Sequence, residues 1–294
     1  MVFDFRFPSK PTMRIILILL ISGYLYPQRN DSQAAFYNVG SKAIIGGVGA
    51  LINKKPNEKG SKVFFKGMYQ GALGGYLTFE SKRLVRQFHR TDNYAYIWPS
   101  KILNSAGNSI IYNAAANRNF WERWHIDFGF NYLEYDFKRE KKLRYRILPF
   151  ALYGNAYGFT TSKFDFKRTL YSGHFIFKNE KLPKLEDSEP FGVAVYNTIQ
   201  FKRNINIDIE AVIAHEIIHV YQYTGAFFIN AYTKELIKRL EEKSDFFKKY
   251  NKVFYTDLNA PLHQGLYNVQ YLFGVDYYDI LQEKEADYYS SNHF

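Results

Sequence analysis

The stretch from Ile207 to Gly225 constrains this chain more than any other, because it sets His215, Glu216 and His219 on one predicted helix. Ile209, Val212, Ile213, Ile217 and Val220 recur at helical spacing, while Asp208, Ala211, His215, His219 and Gln222 line another face. Asn206 or Asp208 is suited to cap the start, and Gly225 to end it. Histidines at i and i+4 project from the same side, so both rings can grip one metal ion. The order H-E-x-x-H puts Glu216 beside that ion, where it can take a proton from an activated water. The chain contains no cysteine, so thiol catalysis and disulfides are excluded and any ion must be held by histidine and carboxylate. Zinc, Zn2+, suits such a set, with three protein ligands and one position left open.

The expected third ligand lies in Glu283-Lys284-Glu285-Ala286-Asp287. On a helix Glu283 and Asp287 share a face, and Ala286 is small enough to let this helix lie close to the first. Glu285 points about 160° away from Glu283, so it is the weaker of the two candidates. The predicted set is His215, His219 and Glu283 on the metal, Glu216 as general base, and Asp287 accepting from the free nitrogen of a ligating histidine. H-E-x-x-H followed by E-x-x-A-D resembles the glutamate-zincin metallopeptidases, in particular those related to the CAAX prenyl proteases and their bacterial periplasmic relatives. In that group the first Glu of E-x-x-A-D is the third zinc ligand, which corresponds to Glu283. His215 to Gln222, preceded by the strand-like Asn197 to Phe201, is also similar to the H-E-x-x-H-V-x-Q metallopeptidase domains of extracellular contractile injection systems. The resemblance covers about residues 193–289 and leaves the first 190 without a counterpart. It implies a zinc-dependent endopeptidase acting on a peptide or protein substrate.

The amino terminus bears on location. Arg14, the apolar run Ile15 to Leu25 and the small residues around Ala34 read as a signal peptide over residues 1–34, with cleavage near Ala34 and export to the periplasm or cell envelope. Residues 35–118 form a glycine- and alanine-rich helical region. Ala43–Ile52 carries Gly46, Gly47 and Gly49, and Val63–Phe79 carries Gly67, Gly71 and Gly75 at four-residue spacing. Such spacing creates a flat face for close backbone approach, and the two runs read as a tight helical hairpin. Another helix is expected after Pro99.

Residues 119–205 read as an antiparallel sheet of four to six strands. Ile126 to Tyr132 and Val193 to Phe201 alternate as strands. Tyr145–Phe159, with a turn at Gly154-Asn155, and Phe164–Lys178 are expected to be strands too. Lys181–Pro190 reads as a polar lid or linker. Residues 206–294 form the helical metal-site region, with an amphipathic helix over Thr233–Tyr250, another from Pro261, and a terminal one capped by Asp276. The predicted class is therefore α+β: helical hairpin, sheet, then zincin-like helices.

Charge divides unevenly. Residues 206–294 hold 8 basic against 13 acidic side chains, net −5, and the remainder 31 against 15, net +16. No nucleic-acid motif accompanies the basic half, so peripheral contact with anionic membrane is the more natural partner for an exported chain. His89, His125, His174, His263 and His293 lack ligand spacing, and one of them, or Tyr277 or Tyr278, is available to stabilise an oxyanion. Two alternatives stay open: a zinc-binding module without catalysis, and a membrane-associated interaction protein of the cell envelope.

Overall fold

A computed structural model describes residues 30–182, 190–203 and 208–290, except the Tyr278 side chain. The apolar run Ile15–Leu25, Asn206, most of the expected 181–190 lid and His293 lie outside the described residues. The chain is α+β, with helices first, two small sheets next and helices last.

Helices α1 (Asp31–Ile52) and α2 (Gly60–Thr91) form the expected hairpin. Asn30 caps α1 by accepting from the Gln33 N–H at 2.9 Å. Its glycine face lies directly on α2. A Cβ on Gly71 would enter the Lys42 carbonyl, and one on Gly75 would come within 2.5 Å of the Asn38 carbonyl oxygen. Gly71→Ala should therefore cost about 2 kcal/mol or more by forcing the helices apart. Gly40, on the partner helix α1 with nothing within 4 Å of its Cβ direction, should tolerate alanine or gain about 0.5–1 kcal/mol. Urea midpoints of the two variants check this; equal midpoints would refute close packing. By length and hydropathy α1 is also able to cross a membrane. Ala34 lies in its first turn and is fully buried. A cut there would remove the cap and Asp31, whose carboxylate accepts from Arg86 at 2.7 Å.

After a 3-10 turn at Tyr94–Tyr96 comes α3 (Ile97–Ala115), the helix expected after Pro99, which starts two residues before it and takes Pro99 into its first turn. Where one sheet was expected there are two. The first is antiparallel: β1 (Arg123–Phe128), β2 (Asn131–Asp136) and β3 (Leu143–Ile147). The alternation from Ile126 to Tyr132 thus spans a hairpin, turned by Gly129 in the left-handed region at φ 55°. Tyr145–Phe159 is not a strand pair. Beyond β3 it forms helix α4 (Pro149–Thr161), begun by Pro149 in its first turn. Phe164–Lys178 contains only β4 (Lys163–Phe164) and β5 (Phe175–Asn179), with α5 (Phe166–Ser172) between them.

Val193–Phe201 is likewise two strands, β6 (Gly192–Val195) and β7 (Thr198–Lys202), reversed at Tyr196 with φ 56°. The second sheet runs β4-β5-β7-β6, and β5–β7 is parallel, so it is mixed and not purely antiparallel. Then follow α6 (Ile209–Thr224), the short α7 (Ile229–Tyr232), α8 (Lys234–Lys243), α9 (Asp245–Val253), α10 (Asn259–Leu272) and, after a 3-10 turn, α11 (Leu281–Ser290). The expected Thr233–Tyr250 helix is broken at Ser244, whose hydroxyl caps α9 by accepting from the Phe247 N–H. Asp276 precedes the 3-10 turn without a side-chain cap bond.

Helix α6 is the axis of the core. Its Ile213, Ile217 and Val220 pack with Phe79, Val85 and Phe88 of α2, Ile176 and Ile199 of the second sheet, and Ala286 and Tyr289 of α11. An α6 buried nearly all round cannot shift without opening the core, so its histidines are held on a rigid element.

Candidate metal centre

Asp208 starts α6 by accepting from the Ala211 N–H at 3.1 Å, and the Gly225 N–H closes it on the Tyr221 carbonyl. Ala286, fully buried, lets α11 approach α6 as the sequence predicts. The two helices bring His215, His219 and Glu283 together, with one donor atom from each lying within 4.8 Å of the others. His215 Nε2 is 3.2 Å from Glu283 Oε2, His219 Nε2 is 3.4 Å from the same oxygen, and the two Nε2 atoms are 3.0 Å apart. Four ligands around zinc at 2.0–2.1 Å would be spaced by about 3.3 Å. The donor set and its spacing fit a tetrahedral zinc without rearrangement.

The outer nitrogens are also held. His215 Nδ1 lies 3.2 Å from Asp287 Oδ1 and 3.4 Å from Ser290 Oγ. His219 Nδ1 lies 2.9 Å from Gln222 Oε1. Each ring can then donate its Nδ1–H outward and keep the Nε2 lone pair for an ion. Gln222 in turn donates to the Gln282 carbonyl at 2.9 Å and to Glu285 at 3.0 Å. Glu285 pairs with Lys82 at 2.7 Å and points away from the cluster, so Glu283 is the carboxylate at the histidines. Spacing alone assigns Gln222 no role, although its place three residues after His219 on one helix is the signal that could have found it.

Burial pulls His215 down, but bonds to Asp287 and Glu283 and the charges of Glu216 and Glu283 outweigh it and push it up to about 10. His219 is raised as well, against its burial, by Glu283. Glu283 is pushed down, against its burial, by the two histidines.

Glu216 is buried, and burial raises its carboxyl above the ordinary range against the pull of both histidines. It accepts from the Ala194 N–H on β6. Beside it Gly192 leaves no room for a side chain: a Cβ there would lie 2.7 Å from Glu216 Oε1 and 2.5 Å from Val212. Tyr277 hydrogen-bonds Glu283. Burial pushes His263 down to about 4, with His219 close enough to add to the effect. His89, 3.7 Å from Asp208, sits at the far end of α6. His125 and His174 are buried elsewhere and held neutral, His125 down to about 4 by burial and by Arg123. Of the histidines and tyrosines considered from sequence, Tyr277 and His263 are therefore the described ones near the cluster. Comparison with family models, with curated proteins and with solved structures finds no match to this chain.

Proposed function

We propose that this chain is an exported, zinc-dependent metallopeptidase of the glutamate-zincin type, with His215, His219 and Glu283 as ligands and Glu216 as general base. The observation that carries the reading is the convergence of three donor atoms whose supporting nitrogens are already oriented by Asp287 and Gln222. A bound zinc ion supplies Lewis acidity, which makes water nucleophilic at neutral pH and polarises a scissile carbonyl. The chain's own residues do the rest. Glu216 takes the proton of the attacking water and passes it to the leaving amine, a task suited to a buried carboxyl raised above the ordinary range. Asp287 and Gln222 fix the imidazole tautomers.

Substrate alignment falls to β6. It is one edge of the second sheet, with no strand on its outer side among the described residues, and it touches Glu216 through Ala194. An extended peptide adding to this edge would pass beside the base. Thr198 and Gln200 belong to the inner strand β7 and are fully buried, so they pair with β5 and β6 and do not meet a substrate. The exposed row Phe65, Tyr69, Leu73 and Tyr76 on α2, with Lys54, Lys55, Lys59 and Lys62 at or before the start of that helix, supports peripheral contact of the exported protein with anionic membrane.

Elemental analysis of the purified chain tests the reading. One zinc per chain is expected, and its loss in both His219→Ala and Glu283→Ala. Absence of zinc after reconstitution of the folded protein would remove the proposal.

A further inference from the structure

One turn beyond the histidine cluster, a cavity of about 620 Å3 opens between α1, the end of α6, α10 and α11. Its size lies within the range of about 300–1,000 Å3 found for small-molecule sites. Ile44, Val48, Phe228 and Leu266 contribute apolar wall, and Lys42 projects into it.

The Lys42 ammonium is poorly matched. Its hydrogen bond is a long one, 3.4 Å to the Gly225 carbonyl, and it sits 5.5 Å from the Phe228 ring centroid. Among the described residues it has no carboxylate at ion-pair distance. The carboxylate on the same wall, Glu285, is engaged by Lys82 at 2.7 Å and by Gln222 at 3.0 Å. Lys82 also donates to Asn38 Oδ1 at 2.9 Å. Lys284, on the rim, pairs outward with Asp279. The inner wall thus presents two ammoniums and one carboxylate beside an apolar surface, an excess of one positive charge. Burial and the neighbouring Lys82 lower Lys42 to about 8, which leaves it mostly charged at neutral pH.

An apolar enclosure with one uncompensated cation is complementary to a molecule with an apolar tail and an anionic head. We propose that this cavity binds a single-chain amphiphile, its tail along Ile44, Val48 and Leu266 and its carboxylate or phosphate head on Lys42. The site does not depend on the peptidase reading.

Isothermal titration of the full chain below micellar concentrations, with dodecanoate, dodecyl phosphate, dodecanol and dodecyltrimethylammonium, tests it. One-to-one binding of an anionic probe is expected, at least about tenfold tighter than the alcohol or the cation, and at least about tenfold weaker in Lys42→Met. Preference for dodecanoate would point to a free fatty acid, and preference for the phosphate to a lysophospholipid. Val48→Phe narrows the apolar part without touching charge and should weaken both anions, which keeps the test decisive if Lys42→Met fails to fold. No saturable binding, equal binding of all four probes, or unchanged affinity in the folded variants would overturn the proposal.

Discussion

Glu216→Gln should keep a full complement of zinc and lose about 10²–10⁴-fold in kcat, the amount a positioned general base supplies. Glutamine is the same size and retains an oxygen to accept the Ala194 N–H, so β6 and α6 should stay in place. What it cannot do is take a proton. Peptide cleavage followed by mass spectrometry on a mixed peptide library, beside zinc content, separates the outcomes. Wild-type cleavage with a silent, zinc-loaded variant supports catalysis. Cleavage at the wild-type rate by the variant would exclude Glu216 as base, and a zinc-loaded wild type that cleaves nothing would favour a metal site without catalysis. Gly192→Val approaches the same group from outside. Its side chain would collide with Glu216 Oε1 and Val212, so kcat should fall while zinc, held by other residues, stays.

The cluster of His215, His219 and Glu283 was legible in sequence because it rests on a local rule. Helical spacing alone puts His215 and His219 on one face, and Glu283 with Asp287 on another. Their meeting depends on Ala286, which is also visible as a small residue. Helical spacing puts Gln222 beside His219, but the contact itself depends on rotamer, and the β6 edge depends on tertiary pairing that no periodicity encodes. Glycine spacing on α2 likewise exposed the hairpin, since close backbone approach needs small residues at fixed intervals.

The aromatic middle misled for a physical reason. Tyr and Phe favour strands on average, yet Pro149 starts a helix, and Gly154 and Gly158 give α4 a face that fits against Val195 and Phe177. A Cβ on Gly154 would lie 2.6 Å from the Val195 carbonyl oxygen. Local preference lost to packing. The parallel β5–β7 pairing was hidden for a related reason: strand direction is set by the crossover, not by the alternation within a strand.

Glu134→Ala should be the most destabilising single change in the first sheet. Glu134 is fully buried on β2 and accepts from Arg123, from Arg139 at 2.6 Å and from Arg146 at 3.0 Å. Arg123 and Arg146 are themselves buried, the first over the Tyr112 ring and the second over Tyr255. Removing the carboxylate strands both guanidinium groups without a countercharge, at a cost of about 3–5 kcal/mol. That is a large part of the roughly 5–15 kcal/mol that holds a typical domain. The pH dependence identifies the cause. Burial alone would raise Glu134, but Arg123, Arg146 and Arg139 outweigh it and hold it down to about 2. A depressed carboxylate stabilises the fold above its unfolded value near 4.5 and loses that contribution as pH falls towards 2, here about 3 kcal/mol. His125 and His174, held neutral in the fold, weaken it at higher pH, from about 6.5 downward; His174 does so alike in wild type and variant, while Glu134 lies close enough to His125 to raise it a little. The difference between the two unfolding free energies, measured by urea titration from pH 7 to pH 2.5, should therefore stay level down to about pH 4.5 and then shrink. A difference that stays level throughout would mean that Glu134 matters through packing and not through its charge.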